Sequence, residues 1–408
     1  MHNETLYNFT CGHGLDAFHT RYVSIHGYVS LLVCTFGSIA NGLNIAVLSR
    51  KEMSSPTNAI LTGLAVADLL VMIEYIPYVI HTHLYHRPKR DTYTYGWALF
   101  VLFHSNYAQI FHTISIWLTV TLAVWRYIAV AYPQKNREWC SYRRTIMAIV
   151  AAYVIVPLLC SPMYLTTEIV IKNRLLDAND CEVNLTARQL HGKQDTNSTN
   201  AEPKNTTLYF VAMTESARAI GFEDLNLWVY GVVIKLIPCL ALTIFSRRLI
   251  LALVEAKKRR KKLTTTTMLK MEESASVAEG KKRKRKHSRL IDKEKQTDRT
   301  TKMLLAVLLL FLLTEFPQGM MGLLSGLLGK PFFNTCYLKL GEVMDILALI
   351  NSAINFILYC AMSRQFRQTF NQLFCRWKLF GRWSPVPQHA ENNNGHTTNH
   401  TVTQVTQV

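Results

Sequence analysis

The chain has 408 residues, 49% of them hydrophobic, only 18% charged, and a formal net charge of +18. Its Lys and Arg are not spread out: they bunch between Lys257 and Lys302, and the apolar residues bunch elsewhere. That segregation belongs to a chain divided between lipid and water, and it argues against reading the basic excess as a nucleic-acid-binding surface.

Residues 1–24 are largely polar, so no cleavable leader is expected and the first apolar run serves as its own insertion signal. Seven long apolar runs follow, near Tyr28–Leu48, Asn58–Ile80, Trp97–Val130, Thr145–Thr166, Leu225–Leu251, Lys302–Leu324 and Leu338–Met362. Each has enough residues to cross ~30 Å of hydrocarbon as a helix. The third is the weakest, because His104, Asn106, Gln109 and His112 interrupt it. Asn-x-Ser/Thr sequons at Asn3, Asn8, Asn184, Asn197 and Asn205 point to glycosylation, which places the amino-terminal tail and the segment before the fifth run outside the cell. The basic connections Arg50–Lys51, Lys135–Arg144 and Lys257–Lys302 fall inside by the positive-inside rule, and an odd number of crossings then puts the carboxyl terminus in the cytoplasm.

The expected layout is an all-α plasma-membrane protein. It has an outer glycosylated tail over 1–24 and a seven-transmembrane bundle over 25–362, with a long outer loop at 167–223 and a basic inner loop at 254–298. An amphipathic helix over 363–376, with Phe366, Phe370, Leu373 and Phe374 among basic residues, lies on the inner membrane surface, and an unstructured tail covers 377–408. The stretch Lys281-Lys-Arg-Lys-Arg-Lys286 reads as a solvated loop that meets anionic headgroups. Cys375 is a palmitoylation candidate, and the Thr406-Gln407-Val408 ending fits strand addition to a PDZ domain. Threonines in the inner loop and tail are candidate phosphorylation sites for arrestin recruitment.

The nine cysteines show no metal spacing. Cys11, Cys181 and Cys336 fall in the outer segments, where a disulfide persists. No His-Glu-x-x-His, Gly-x-Ser-x-Gly or Walker loop occurs, so the chain is not expected to be an enzyme.

Polar residues inside apolar runs are the informative ones, since a charge at a helix centre costs roughly 2.5–3.5 kcal/mol on insertion. Asp68 is central in the second run, with Asn41, Ser115, Asn351, Ser352 and Asn355 in others. One carboxylate ringed by neutral oxygen ligands suits a hard monovalent cation such as sodium; the same residues also serve simply to hydrogen-bond helices together.

Asn41, Leu64-Ala-x-Ala-Asp68, Trp97, Trp125-Arg126-Tyr127, Pro162, Pro238, Phe311 with Pro317, Asn351-Ser352 and Asn355-x-x-x-Tyr359 occur in order, one set per run. Together they resemble the signature of rhodopsin-family (class A) G-protein-coupled receptors. The resemblance implies a sodium site around Asp68, Ser115, Asn351 and Asn355, an Arg126 that faces a heterotrimeric G protein, and a Tyr359 that moves inward on activation. Departures are as informative. Trp125 stands where the family has an Asp and Thr297 where it has an acidic partner, so Arg126 lacks its resting lock. Phe356 replaces a Pro, which straightens the seventh helix. Val101 replaces the family's disulfide Cys, leaving Cys181 to pair with Cys11, with Cys336, or with nothing in this chain. Trp125-Arg-Tyr, Thr314-Glu-Phe-Pro-Gln-Gly319, Pro133-Gln-Lys-Asn-Arg-Glu138 and Asn355-Phe-Ile-Leu-Tyr359 look like invertebrate myosuppressin and FMRFamide-like neuropeptide receptors. That resemblance implies a peptide ligand and coupling to Gi/o.

Ala108 and Leu349 occupy the positions where amine receptors carry an Asp and opsins a Lys, which sets both groups aside. The outer halves are acidic instead: Glu74, Glu315, Glu342 and Asp345, the last two sharing a helix face. Such a set attracts a cationic peptide. An amidated Arg-Phe ending fits, with Arg at the carboxylates and Phe among Tyr107, Phe111 and Phe316. Lys235 and Glu315 lie deep in neighbouring helices with His112 at hand. They form either a buried bridge or a pair in which Glu315 is protonated and hydrogen-bonded. The rival readings are a receptor for another peptide class and a multi-helix transporter, although the chain shows no internal repeat.

Overall fold

The computed structural model describes residues 11–374 apart from 86–87, 177–203, 220–221, 223–224, 226–227, 273–304, 307–308 and 330. Helix α1 (His13–Leu48) and helix α2 (Pro56–Val79) are joined by a short inner turn, and α3 spans Tyr95–Ala131. Helix α4 (Tyr142–Leu159) stops two residues after Pro157 and is followed by an outer hairpin of β1 (Thr167–Leu176) and β2 (Lys204–Met213). Then come α5 (Ile237–Glu272), α6 (residues 309–329), α7 (Gly341–Met362) and α8 (Arg364–Phe374).

The helices begin where the sequence supplies caps. Ser55 accepts from the Asn58 amide with Pro56 at the first helical position, Thr94 accepts from the Trp97 amide, and Ser141 from the Arg144 amide. Six described helices are long and apolar enough to cross a membrane. The apolar run at Lys302–Leu324, helical over 309–329, supplies the seventh. Large apolar side chains point outward throughout: Leu32 and Ile39 on α1, Met147 and Leu158 on α4, Leu240 and Ile244 on α5. In water such a surface would associate; in lipid it is the solvated face.

Pro238 accounts for the local geometry ahead of α5. It offers no amide to the preceding turn, and the backbone widens to a π-helical segment over Val229–Leu236. Within that segment Gly231 meets Gly322 of α6 backbone to backbone: a Cβ on Gly231 would lie 2.9 Å from the Gly322 carbonyl carbon. Only glycine at both positions lets the two helices approach this closely. Helix α7 runs unbroken through Phe356, as the missing Pro implies.

Three features differ from the sequence expectation. The loop 167–223 contains a ten-residue antiparallel ladder, Thr167 opposite Met213 to Leu176 opposite Lys204, built from β-branched and aromatic residues. It docks on the outer end of α3 without a cystine: the Tyr209 amide donates to the Tyr93 carbonyl at 3.0 Å, with Tyr93 against Phe210 and Tyr95 against Tyr209. Helix α1 begins at His13, upstream of its apolar run. Most directly, Cys11 is bonded to Cys336, so neither is available to Cys181, and the expected pairing of Cys181 with one of them is corrected. Cys181 itself lies outside the described residues, as do Asn3, Asn8, Asn184, Asn197, Lys281–Lys286, Cys375 and Thr406–Val408. Asn205 is exposed at the start of β2.

The cystine is one strand of a strap. Lys339 pairs with Asp16, and His19 lies 3.5 Å from Glu342, so the extension of α1 is held against the outer start of α7. Non-reducing peptide mapping of the intact protein is expected to recover a Cys11–Cys336 crosslinked fragment. Recovery of Cys181 joined to either residue would overturn that connectivity.

Candidate functional site

At the outer end, α2, α3, the π-helical segment ahead of α5, α6 and α7 each contribute charged or titratable side chains. Glu74 of α2 is buried, and its Oε1 lies 2.7 Å from Nδ1 of His104 on α3. The imidazole stacks on Tyr78 at 3.8 Å. Deeper, Lys235 Nζ donates to Glu315 Oε2 at 2.6 Å, both side chains shut off from solvent. His112 Nε2 stands 2.8 Å from the same Nζ and 3.2 Å from the same Oε2. A single ring nitrogen serves only one of them at a time: unprotonated it accepts from Lys235, protonated it donates to Glu315. Glu315 Oε1 has no partner among the described residues. Tyr230 faces Lys235 with its ring 5.7 Å away, and its hydroxyl accepts from Gln318 at 2.6 Å.

Asp345 is different. It is exposed, although it sits within α7 among Glu342, His104 and Lys235, all within electrostatic reach. Tyr75, Tyr78, Tyr230 and Tyr337 feel its charge as well. Among the described residues it makes no hydrogen bond or ion pair. Its charge is therefore not consumed within the described part of the chain.

Two expectations about these residues change. Of the four acids assigned to hold a cation, Glu74 and Glu315 are already engaged by His104 and by Lys235 with His112, which leaves Glu342 and Asp345 as the freer pair. Phe316 is corrected as a ligand contact: it is 47% exposed and shares its face of α6 with Leu309 and Leu313, the lipid side. The helical repeat explains this, because Glu315 points inward and its neighbour lies about 100° round the helix. Tyr107 and Phe111 pack at a tilt with ring centroids 4.5 Å apart, and Phe111 packs towards α2 and Tyr153 of α4.

In the middle of the bundle the polar residues form one column. Ser115 donates to Asp68 Oδ1 at 2.8 Å and Asn355 to Oδ2 at 3.3 Å. Asn41 spans α1 and α7 by donating to the Ser352 carbonyl at 3.0 Å. Asn351 and Ser352 are buried beside it. Asn41 Oδ1 and both amide atoms of Asn44 are buried with no partner among the described residues. Asp68 and Ser115 present oxygens here while Asn355 presents its amide Nδ2, so a hard cation would fit this group with the Asn355 amide turned to offer Oδ1.

At the inner end, the Trp125 indole donates to Thr145 of α4 at 2.9 Å. Trp125 therefore ties α3 to α4 and supplies no counter-charge to Arg126, whose Nε is buried without a partner among the described residues. Tyr127 packs on Tyr132 and Phe245. Phe311 is buried against Ile116 and Leu242, one turn and a half before Pro317 in α6. Tyr359 is buried beside Phe366 of α8, its hydroxyl without a partner among the described residues. Trp125→Asp is expected to place a carboxylate next to Arg126 and lower agonist-independent G-protein turnover, with the maximal agonist response as the control for folding. An unchanged or raised basal rate would show that Arg126 is restrained some other way.

Sequence reasoning missed His104, counted there only as a flaw in an apolar run, and missed Gln318 and Tyr230. The available signal was polarity itself: an imidazole in a membrane helix needs a partner, and Glu74 was the nearest acid across the bundle.

A bundle with clustered charges at one end and, at the other, an Arg126 whose Nε is unpartnered among the described residues is built to bind and transmit rather than to catalyse. The sequence model of the "Serpentine type 7TM GPCR chemoreceptor Srw" family matches residues 28–377, and the chain belongs to this family of G-protein-coupled receptors. It is 32% identical to the G-protein coupled receptor dmsr-1 of Caenorhabditis elegans over 88% of this chain and 69% of that one. It is 26% identical to the Sex peptide receptor of Drosophila melanogaster, over 91% and 76%. The FMRFamide receptor of the same fly is 25% identical, over 92% of this chain and 58% of the receptor. The chain is thus a multi-pass membrane receptor with neuropeptide-receptor relatives, and the transporter alternative falls away.

Proposed function

We propose that this receptor binds an extracellular peptide with an amidated Arg-Phe ending, of the FMRFamide and myosuppressin-like class, and passes the signal to a Gi/o heterotrimer. The observation that carries the reading is Asp345: an exposed carboxylate, without a partner among the described residues, within electrostatic reach of Glu342, His104 and Lys235. A guanidinium entering there forms a charge-assisted pair at little cost, because no existing bond must break. The peptide's phenyl ring then lies among Tyr75, Tyr78, Tyr230 and Tyr337, the phenols around that carboxylate. The FMRFamide receptor relative supports the same ligand class. The amino terminus is outside and the carboxyl terminus cytoplasmic, which puts the Cys11–Cys336 strap in an oxidising compartment.

Sodium at Asp68, held with Ser115, Asn351 and Asn355, belongs to the resting state in this reading. Agonist affinity should then fall as sodium replaces a bulky organic cation, and Asp68→Asn should remove that dependence. Arrestin on the phosphorylated tail and a PDZ domain at Thr406–Val408 complete the partners.

The test is a panel of synthetic peptides applied to cells that express the receptor, with Gi/o activation as readout. Potency should require the amidated Arg-Phe ending and collapse when Arg is replaced by citrulline. A second reading, a ligand outside the Arg-Phe-amide class, is favoured by the Sex peptide receptor relative. It prevails if a peptide lacking that ending activates and the panel does not.

A further inference from the structure

At the end of the bundle that carries Arg126, the turn between α1 and α2 and the start of α4 enclose a cavity of about 350 Å³. Its floor is basic. Arg50 and Lys51 both line it, both are exposed, and neither makes an ion pair among the described residues. No carboxylate lines it; the neighbouring Glu52 contributes its backbone oxygen to Gln365 of α8. Ser54, Ser55 and Thr62 also line the cavity.

The opposite wall is apolar and continues beyond the cavity. Tyr142 and Ile146 line it, and the exposed face of α4 carries on through Val150 and Val154 to Leu158. These positions recur at helical spacing, so they form a continuous oily track that begins beside two uncompensated cations. A soluble anion needs the cations only. A ligand that uses both halves has an anionic head and a hydrocarbon tail, and the tyrosine between them sits where tyrosines favour the membrane boundary.

We propose that this cavity binds an anionic phospholipid, its phosphate between Arg50 and Lys51 and one acyl chain along Ile146, Val150 and Val154. Arg50 grips the phosphate as a fork and Lys51 as a point charge. The lipid bridges the α1–α2 turn to α4, the helix least embraced by the rest of the bundle. The basic run Lys281–Lys286 lies outside the described residues, and its own contribution is tested by substitution.

The test uses the full-length receptor in nanodiscs of phosphatidylcholine doped with phosphatidylinositol bisphosphate, with retained lipid counted by native mass spectrometry after mild extraction. One tightly held anionic lipid is expected on the wild type. Arg50→Ala with Lys51→Ala should weaken retention roughly 30-fold, the ratio expected from two basic groups near an anionic surface. Ala59→Leu, which crowds the cavity without touching its charge, should weaken it too, whereas the swap Arg50→Lys with Lys51→Arg should restore it. Substituting Ser throughout 281–286 should leave the tight lipid in place, and free inositol trisphosphate should compete poorly. The proposal is overturned if the double Ala variant retains lipid like the wild type, if the 281–286 substitution alone removes it, or if the soluble headgroup binds as well as the lipid. Failure of the Lys/Arg swap to rescue, with unchanged melting, would also count against it.

Discussion

Glu315→Gln and Lys235→Met are each expected to weaken agonist potency and the thermal lifetime of the solubilised receptor, while the double variant loses much less than the two losses added. The reason is burial. Both side chains are closed to solvent and 2.6 Å apart, so removing one leaves the other charged in a medium that cannot solvate it. That situation typically costs ~3–5 kcal/mol, more than a hundredfold in an equilibrium constant. Removing both partners removes the uncompensated charge, and coupling between neighbours of this kind is what a double-mutant cycle measures. His112→Phe should have a smaller effect, since the 2.6 Å contact survives it. Strictly additive losses in the cycle would sink the bridge. The pair also suggests how a ligand is felt. Asp345 and Glu315 both act on Lys235, one through space and one by direct contact. A cation that neutralises Asp345 leaves Lys235 wholly to Glu315 and His112, and so alters the joint of α3, α5 and α6 directly below it.

Much of this was legible in the sequence because lipid makes the rules strict. An apolar run of adequate length can only be a helix there, so the first five runs and the seventh appear at nearly the expected places. Polar residues within runs must find partners, so Asp68 with Ser115 and Asn355, and Lys235 with Glu315, were visible as charges that needed each other. What stayed hidden lies outside the hydrocarbon or depends on rotation about a helix. The β1–β2 hairpin sits in water, where Thr and Tyr in a polar segment satisfy a loop as readily as a strand. The Cys11–Cys336 bond joins residues 325 apart, and three outer cysteines alone do not fix which two pair. Phe316 was misassigned because its neighbour Glu315 faces inward, and one residue along a helix is a different face. His104 and Glu74 are thirty residues apart on separate helices, so no local pattern announces them.

Asp345→Asn should be the most damaging single change at the outer end of the bundle for an Arg-containing peptide. Its carboxylate has no competing partner among the described residues, so its whole charge is available to the ligand. Loss of one member of a desolvated, hydrogen-bonded charge pair costs about 2–5 kcal/mol, or roughly 30-fold to several thousandfold in potency. Glu74→Gln should cost far less for the ligand, because Glu74 Oε1 is held by His104 whether or not peptide is present. Surface expression and radioligand saturation separate lost affinity from lost protein. The decisive comparison pairs receptor and ligand changes. A citrulline peptide should be weak on the wild type and lose nothing further on Asp345→Asn, since the interaction is already gone. If citrulline and Asn losses add, the guanidinium is bound elsewhere, and Glu342, one turn up the same face of α7 and only loosely held by His19, becomes its partner. The ordering of these effects follows from which acids are already engaged within the folded chain, a distinction that counting carboxylates along the sequence does not make.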